Sequence, residues 1–163
     1  MAKRLIRGTQ LAYNRPETRE ERTELPIQTG ALPYRLGRKK GFEVLLVTGR
    51  RSRRWTIPKG WPMDGKSLAE AAAQEAFEEA GVRGKVNPEP LGTFRHVKTN
   101  LPVGNLEVNI VVHSMEVERE LPKWPELGQR KRKWFKAAEA ADRVDSEELG
   151  RLILETVERT LVA

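Results

Sequence analysis

The chain of 163 residues contains no cysteine, which excludes disulfides, thiol catalysis and thiolate zinc sites. Histidine is nearly absent: His96 and His113 are the only two, too few for a histidine-rich metal centre. No apolar run approaches the roughly 20 residues of a membrane span, and mean hydropathy is −0.62. The basic start, with Lys3, Arg4 and Arg7, is not followed by a hydrophobic stretch. A secretory leader is therefore not expected, no membrane partner is expected either, and the cytoplasm is the expected compartment. Nothing matches a helix-turn-helix, an RNA-recognition aromatic signature or a zinc finger. Any metal chemistry must fall to carboxylates.

Carboxylates are present in a telling arrangement. Residues 75–82 read Glu-Ala-Phe-Glu-Glu-Ala-Gly-Val. In a helix, Glu75, Glu78 and Glu79 stand at i, i+3 and i+4, on one face. Like charges at that spacing destabilise a helix by roughly 0.2–0.5 kcal/mol per pair unless a cation lies between them. A Glu-Glu pair alone is an ordinary solvated helix face, but the surroundings add weight. Ser67 followed by Glu70 forms a capping-box pattern that starts a helix near Leu68, and Gly81 is suited to end it in the left-handed conformation. Between those ends Ala69, Ala72, Ala73, Ala76 and Ala80 share one side, so the helix can lie close to a sheet. Hard divalent cations such as Mg²⁺ prefer carboxylate oxygen and leave room for phosphate.

Upstream, Trp55-Thr56-Ile57-Pro58-Lys59-Gly60-Trp61-Pro62 reads as a short strand entering a loop, where Gly60 permits close approach of an ion or phosphate. The segment Gly60 to Val82 resembles the Nudix box: Gly, five residues, Glu, seven residues, Arg-Glu, an aliphatic, any residue, Glu-Glu, any residue, Gly, an aliphatic. Gly60, Glu75, Ala76, Glu78, Glu79, Gly81 and Val82 fall at its fixed positions without insertion. Two positions depart: Lys66 replaces the first Glu and Gln74 replaces the Arg. In that family the Arg typically holds a neighbouring catalytic Glu. Gln can donate from its amide, but it supplies neither charge nor fork. Flanking segments extend the similarity over roughly residues 27–162. They include Arg54-Trp55, Gly92-Thr93-Phe94, Val108 to Val112, Trp124, and Arg130 to Phe135 leading into Ala137. Together they resemble the diphosphoinositol polyphosphate phosphohydrolase branch and its bacterial relatives.

The resemblance implies an α+β fold, an α/β/α sandwich around a mixed central β-sheet. It implies Mg²⁺, with Mn²⁺ as a substitute, and hydrolysis of phosphoanhydride bonds in a highly phosphorylated small molecule. Diadenosine and diphosphoinositol polyphosphates head the substrates; ADP-ribose, nucleoside triphosphates and RNA 5′ pyrophosphates are alternatives. So is a binding module that has lost turnover. Glu75 and Glu79 are the expected direct ligands, and Glu78 the base or a shared ligand; Glu75 is also a catalytic candidate. The Gly60 carbonyl is a further ligand candidate. For the distal Glu that often completes such sites, Glu116 comes first and Glu107 second.

Net charge is +7, with 30 Lys and Arg against 23 Asp and Glu, and the pI is about 9.9. A basic surface suits a polyanionic partner; a phosphorylated small molecule ranks above nucleic acid, for which no motif speaks. Arg50, Arg51, Arg53 and Arg54 cluster before the proposed phosphate loop, Lys59 lies inside it, and Arg130 to Lys133 form a second cluster. Arg54 and Lys59 lead the substrate-binding candidates, followed by Arg51, Arg130 and Arg132. His96 and Lys98 rank lower. Trp61 and Trp124 are candidates for stacking on a base, or for anchoring loops.

Along the chain, residues 1–26 read as a polar arm and 27–163 as one domain, a monomer or homodimer. Strands are expected at Gln28–Leu36, Phe42–Thr48, 91–98 and 106–117, with turns at Arg38–Gly41 and near Asn100–Gly104. Residues 118–130 read as a loop. A short helix at 136–142 precedes a longer one from Ser146. Its stripe of Leu149, Leu152, Ile153, Val157 and Leu161 should cover the sheet.

Overall fold

The computed structural model describes residues 25–162 except Arg38, Lys40 and the side chain of Asn100. The expected arm therefore lies outside the described residues but for Leu25 and Pro26, as do two positions of the first expected turn. The strands are β1 (Ile27–Gly37), β2 (Gly41–Thr48), β3 (Trp55–Thr56), β4 (Lys59–Gly60), β5 (Val82–Val86), β6 (Gly92–Leu101), β7 (Gly104–Glu120) and β8 (Arg132–Lys136). The helices are α1 (Leu68–Ala80), α2 (Ala137–Arg143) and α3 (Glu147–Val162). Among the described residues no helix is long and apolar enough to cross a membrane.

The eight strands form one mixed sheet. Its central order is β3-β2-β1-β7-β5, with β4 beside β1, β6 beside β7 and β8 beside β2. β1 and β7 run parallel from Ile27–Asn109 to Tyr34–Glu116; the other pairings are antiparallel. The Val44-Leu45-Leu46-Val47 run is wholly buried and serves both faces. Leu45 and Val47 meet the Ala72, Ala76 and Ala80 stripe of α1, whereas Val44 and Leu46 pack with Leu149 and Ile153 of α3. Period-two alternation thus sandwiches the sheet between helices.

Most elements fall within a few residues of expectation, and the differences have physical reasons. β8 lies in what reads as a charge run; Lys133 and Lys136 point outward while Phe135 is buried and pairs with Val44. β5 is short and half charged, with a bulge at Arg83–Gly84 against β7. β7 runs to Glu120, so the loop beyond it begins later than expected. In α3, Leu161 is 66% exposed. The stripe ends at half-buried Val157, and Thr156 fills a buried position by donating its hydroxyl to the Leu152 carbonyl at 2.9 Å.

Helix α1 is fixed at both ends. Ser67 Oγ accepts from the Glu70 N–H at 3.1 Å, and Glu70 Oε1 accepts from the Ser67 N–H at 3.2 Å. Gly81 has φ 64°, and its N–H donates to the Phe77 carbonyl at 3.0 Å. A Cβ at Gly81 would also strike the Trp124 ring. The loop from β7 to β8 serves the last carbonyls. Glu126 N–H donates to Glu78 O at 3.0 Å, and Arg132 Nη1 donates to Ala80 O at 2.8 Å and Gly81 O at 3.3 Å. These groups would otherwise be orphaned at the helix end. In urea denaturation, Ser67→Ala is expected to destabilise by about 1 kcal/mol. Gly81→Ala is expected to cost about 2–3 kcal/mol, since left-handed strain adds to overlap with Trp124.

Candidate functional site

The acidic face of α1 meets the edge of the sheet at β4. Gly60 pairs with Thr29 of β1, and the Thr29 hydroxyl donates to the Leu68 carbonyl at 2.6 Å, tying the start of α1 to the same strand. The Glu75 carboxylate lies against Gly60 so closely that any Cβ there would overlap it. Glycine is favoured here by approach, not by φ: any larger residue would displace the Glu75 carboxylate.

Glu79 is only 4% exposed. Its Oε1 lies 3.3 Å from Arg130 Nη2, while its Oε2 is buried without a hydrogen-bond partner. Glu78 accepts from Gln74 Nε2 at 3.0 Å, so the residue in the arginine position still holds a glutamate, by a neutral bond. A fourth carboxylate arrives from the β7–β8 loop: Glu126, whose Oε1 is 3.2 Å from Arg130 Nε and 3.8 Å from Arg50 Nε.

Burial, and then repulsion from Glu79, Glu78 and Glu126, raises the Glu75 pKa to about 7, with Lys59 opposing. Burial also raises that of Glu79, against the pull of Lys59 and Arg130. Burial lowers the ammonium of Lys59, and Glu79 restores part of it. Lys98 of β6 is lowered by burial too, and feels Glu79 and Glu75 as attractive charges. Burial, with Lys59 and Lys98 nearby, pushes His96 down to about 4, so its imidazole is neutral at pH 7. The site is a crowd of carboxylates faced by two ammonium groups.

Among the described residues, no three Asp, Glu or His side chains converge into a ready-made metal cluster. Glu78 is turned to Gln74 and Glu79 to Arg130. The donor chemistry nevertheless suits a hard divalent cation. An unpartnered buried carboxylate oxygen and a carboxyl whose pKa is raised by burial and by neighbouring acids are both relieved by positive charge, and the Gly60 backbone lies against that same carboxyl.

Several expected residues lie elsewhere. Glu116 pairs across β1 with Tyr34, whose ring stacks on Phe42 on the α3 side of the sheet. Its neighbour Met115 faces α1, so alternation points Glu116 away from the acidic face. Glu107 is paired with Arg95 at 3.2 Å. Glu126 stands where a distal glutamate was sought. Its one signal in the sequence is its place four residues before Arg130, and a loop carries no periodicity to rank it. Arg54 pairs with Asp145 at 3.0 Å on the surface, and Arg51 is exposed on the β2–β3 loop. Arg130 is occupied by Glu79 and Glu126 rather than free for substrate. Arg132 caps α1 and stacks on Trp124, 3.9 Å from its ring, which makes that Trp a loop anchor. Trp61 remains 47% exposed, with Lys98 Nζ 5.6 Å from its ring.

A family model described as NUDIX domain matches residues 26–155. The chain is 30% identical over 133 residues to the mitochondrial Nudix hydrolase 13 of Arabidopsis thaliana, covering 71% of this chain and 65% of that protein. It is 35% identical over 102 residues to the diphosphoinositol polyphosphate phosphohydrolase 3-beta of Bos taurus, covering 60% and 57%. The chain thus spans under two thirds of the length of these relatives. In fold it resembles the C. elegans Ap4A hydrolase in a binary complex, with TM-score 0.63 and 20% identity over 85% of this chain and 100% of that one.

The neutral His96 gives a signed pH dependence. Its folded pKa lies below the unfolded value, so the unfolded chain binds more protons between about pH 6.5 and 4. The stability it contributes is present above pH 6.5 and lost as pH falls towards 4. Urea denaturation at pH 7 and pH 4.5 should show His96→Gln losing less stability than the wild type over that interval.

Proposed function

Since the chain belongs to the NUDIX family, we propose that it is a Mg²⁺-dependent hydrolase of phosphoanhydride bonds in a highly phosphorylated small molecule. The observation that carries this reading is the buried, unpartnered Oε2 of Glu79 beside Glu75, with Lys59 facing both. Glu75, Glu79 and the Gly60 carbonyl would hold the cation, with Glu126 and Glu78 completing the set. A bound divalent cation would neutralise the phosphates, activate water and stabilise the leaving group.

The chain's own residues divide the remaining work. Lys59 and Lys98 offer ammonium groups to phosphate oxygens, and their lowered proton affinity reflects how dry and positive that side is. Glu78, oriented by Gln74, accepts the proton of the attacking water. Water oxygen bonds to phosphorus, the bridging P–O bond breaks, and the leaving phosphate takes the electron pair.

Diadenosine and diphosphoinositol polyphosphates both suit this arrangement. The exposed face of Trp61 favours the dinucleotide, because indole stacks on a planar base and offers an inositol ring much less. Phosphate release from a substrate panel should require Mg²⁺ and stop with chelator. Glu79→Gln should lower kcat at least about 100-fold, as expected for losing an electrostatic element of the transition state. Retained turnover in that variant would contradict the assignment. Saturating Mg²⁺ at about 100 times its Kd should stabilise the wild type by about 2.7 kcal/mol, measured by urea denaturation.

A further inference from the structure

The charge missing at Gln74 is supplied from another part of the chain. We infer that Arg130 is the positioning residue of this site, the counterpart of the box arginine brought in on the β7–β8 loop. This rests on the proposed cation-dependent hydrolysis.

The guanidinium is engaged on three sides. Nη2 lies 3.3 Å from Glu79 Oε1, Nε lies 3.2 Å from Glu126 Oε1, and Nη1 donates to the Thr48 carbonyl at 3.1 Å. Its side chain is 8% exposed, so these partners replace water. The backbone beneath it is fixed as well. Thr48 N–H donates to the Lys131 carbonyl and the Lys131 N–H to Thr48 Oγ1, both at 3.0 Å. Arginine suits the position because its rigid fork meets two carboxylates and a carbonyl at once, which an ammonium cannot do.

The consequence is a division of Glu79. One oxygen is held by Arg130, and the other is left buried and free. The same cation draws Glu126 in from the loop to join a helix face that already carries Glu75, Glu78 and Glu79. Gln74 holds Glu78 and Arg130 holds Glu79, so two residues divide the positioning of adjacent glutamates. Arg130 is thereby also the internal counter-ion of the metal-free protein.

Two measurements separate this role from simple structural support. The first needs no turnover: melting of metal-free protein, then of the same protein with Mn²⁺. Arg130→Met is expected to lower the metal-free Tm by about 10 °C, since it leaves buried carboxylates unpaired. Mn²⁺ should then raise its Tm by more than it raises the wild type's, because the ion takes over the neutralisation. An equal Mn²⁺ increment in both would overturn the inference, and a wild type with no Mn²⁺ response would overturn the hydrolase reading along with it.

The second is a double-mutant cycle with Gln74→Arg, assayed well below either Tm. Arg130→Met should lower kcat at least about 30-fold with KM little changed, as for an interaction made in the transition state. Gln74→Arg should raise kcat at least about tenfold more in the Arg130→Met background than in the wild type, a non-additivity diagnostic of two residues acting on one site. Multiplicative effects, or a loss confined to KM, would overturn it. Should Arg130→Met not fold, Arg130→Lys keeps the charge without the fork. It should lower kcat about threefold to tenfold, and wild-type kcat in that variant would overturn the inference.

Discussion

Four carboxylates cannot share a half-buried cleft without cations, and the architecture of this site follows from that constraint. Glu75, Glu78, Glu79 and Glu126 lie close enough that repulsion among them contributes to holding the Glu75 carboxyl near neutrality. Burial strengthens each repulsion by removing water. The chain answers with a fixed guanidinium, a neutral amide and two ammonium groups. One oxygen of Glu79 remains unanswered. That residue of unbalanced charge is what the proposed phosphate-directed chemistry would use.

The fold delivers these groups through short, well-determined connections. β1 carries β4 on one edge and ties α1 down through Thr29, so Gly60 and Glu75 are set against each other by backbone pairing rather than by loop chance. The other half of the site hangs on the β7–β8 loop. That loop is held by the carbonyls at the end of α1, through Glu126 and Arg132, and by the Thr48–Lys131 bonds at the end of β2. Helix end and site share the same clamps, so loss of a clamp would disturb chemistry and stability together.

How much of this was legible in the sequence depends on whether a local period carried the information. The i, i+3, i+4 acids, the Ser67–Glu70 cap, Gly81 and the doubly buried Val44–Val47 run are local patterns, and α1 and β2 follow them closely. β8 was hidden because three of its five residues are charged, so its start read as part of the basic cluster Arg130 to Lys133. Glu116 illustrates a different limit. Which face a strand residue takes depends on register with β1, and Tyr34 sets that register from more than 80 positions away. Arg130 and Arg132 are neighbours in one basic cluster, yet one neutralises buried acids and the other caps a helix. Only long-range packing separates them, as it does Glu126 from Glu118 and Glu120 at the end of β7.

The acidic face of α1 is proposed to hold a divalent cation. Water-proton relaxation during titration with Mn²⁺ reports that occupancy directly, without a substrate and without reference to turnover. Saturable Mn²⁺ binding in the wild type that is lost or weakened at least about tenfold in Glu79→Gln is expected for a hard ion held by carboxylates. No saturable binding in the wild type, or binding indifferent to Glu79, would contradict the claim.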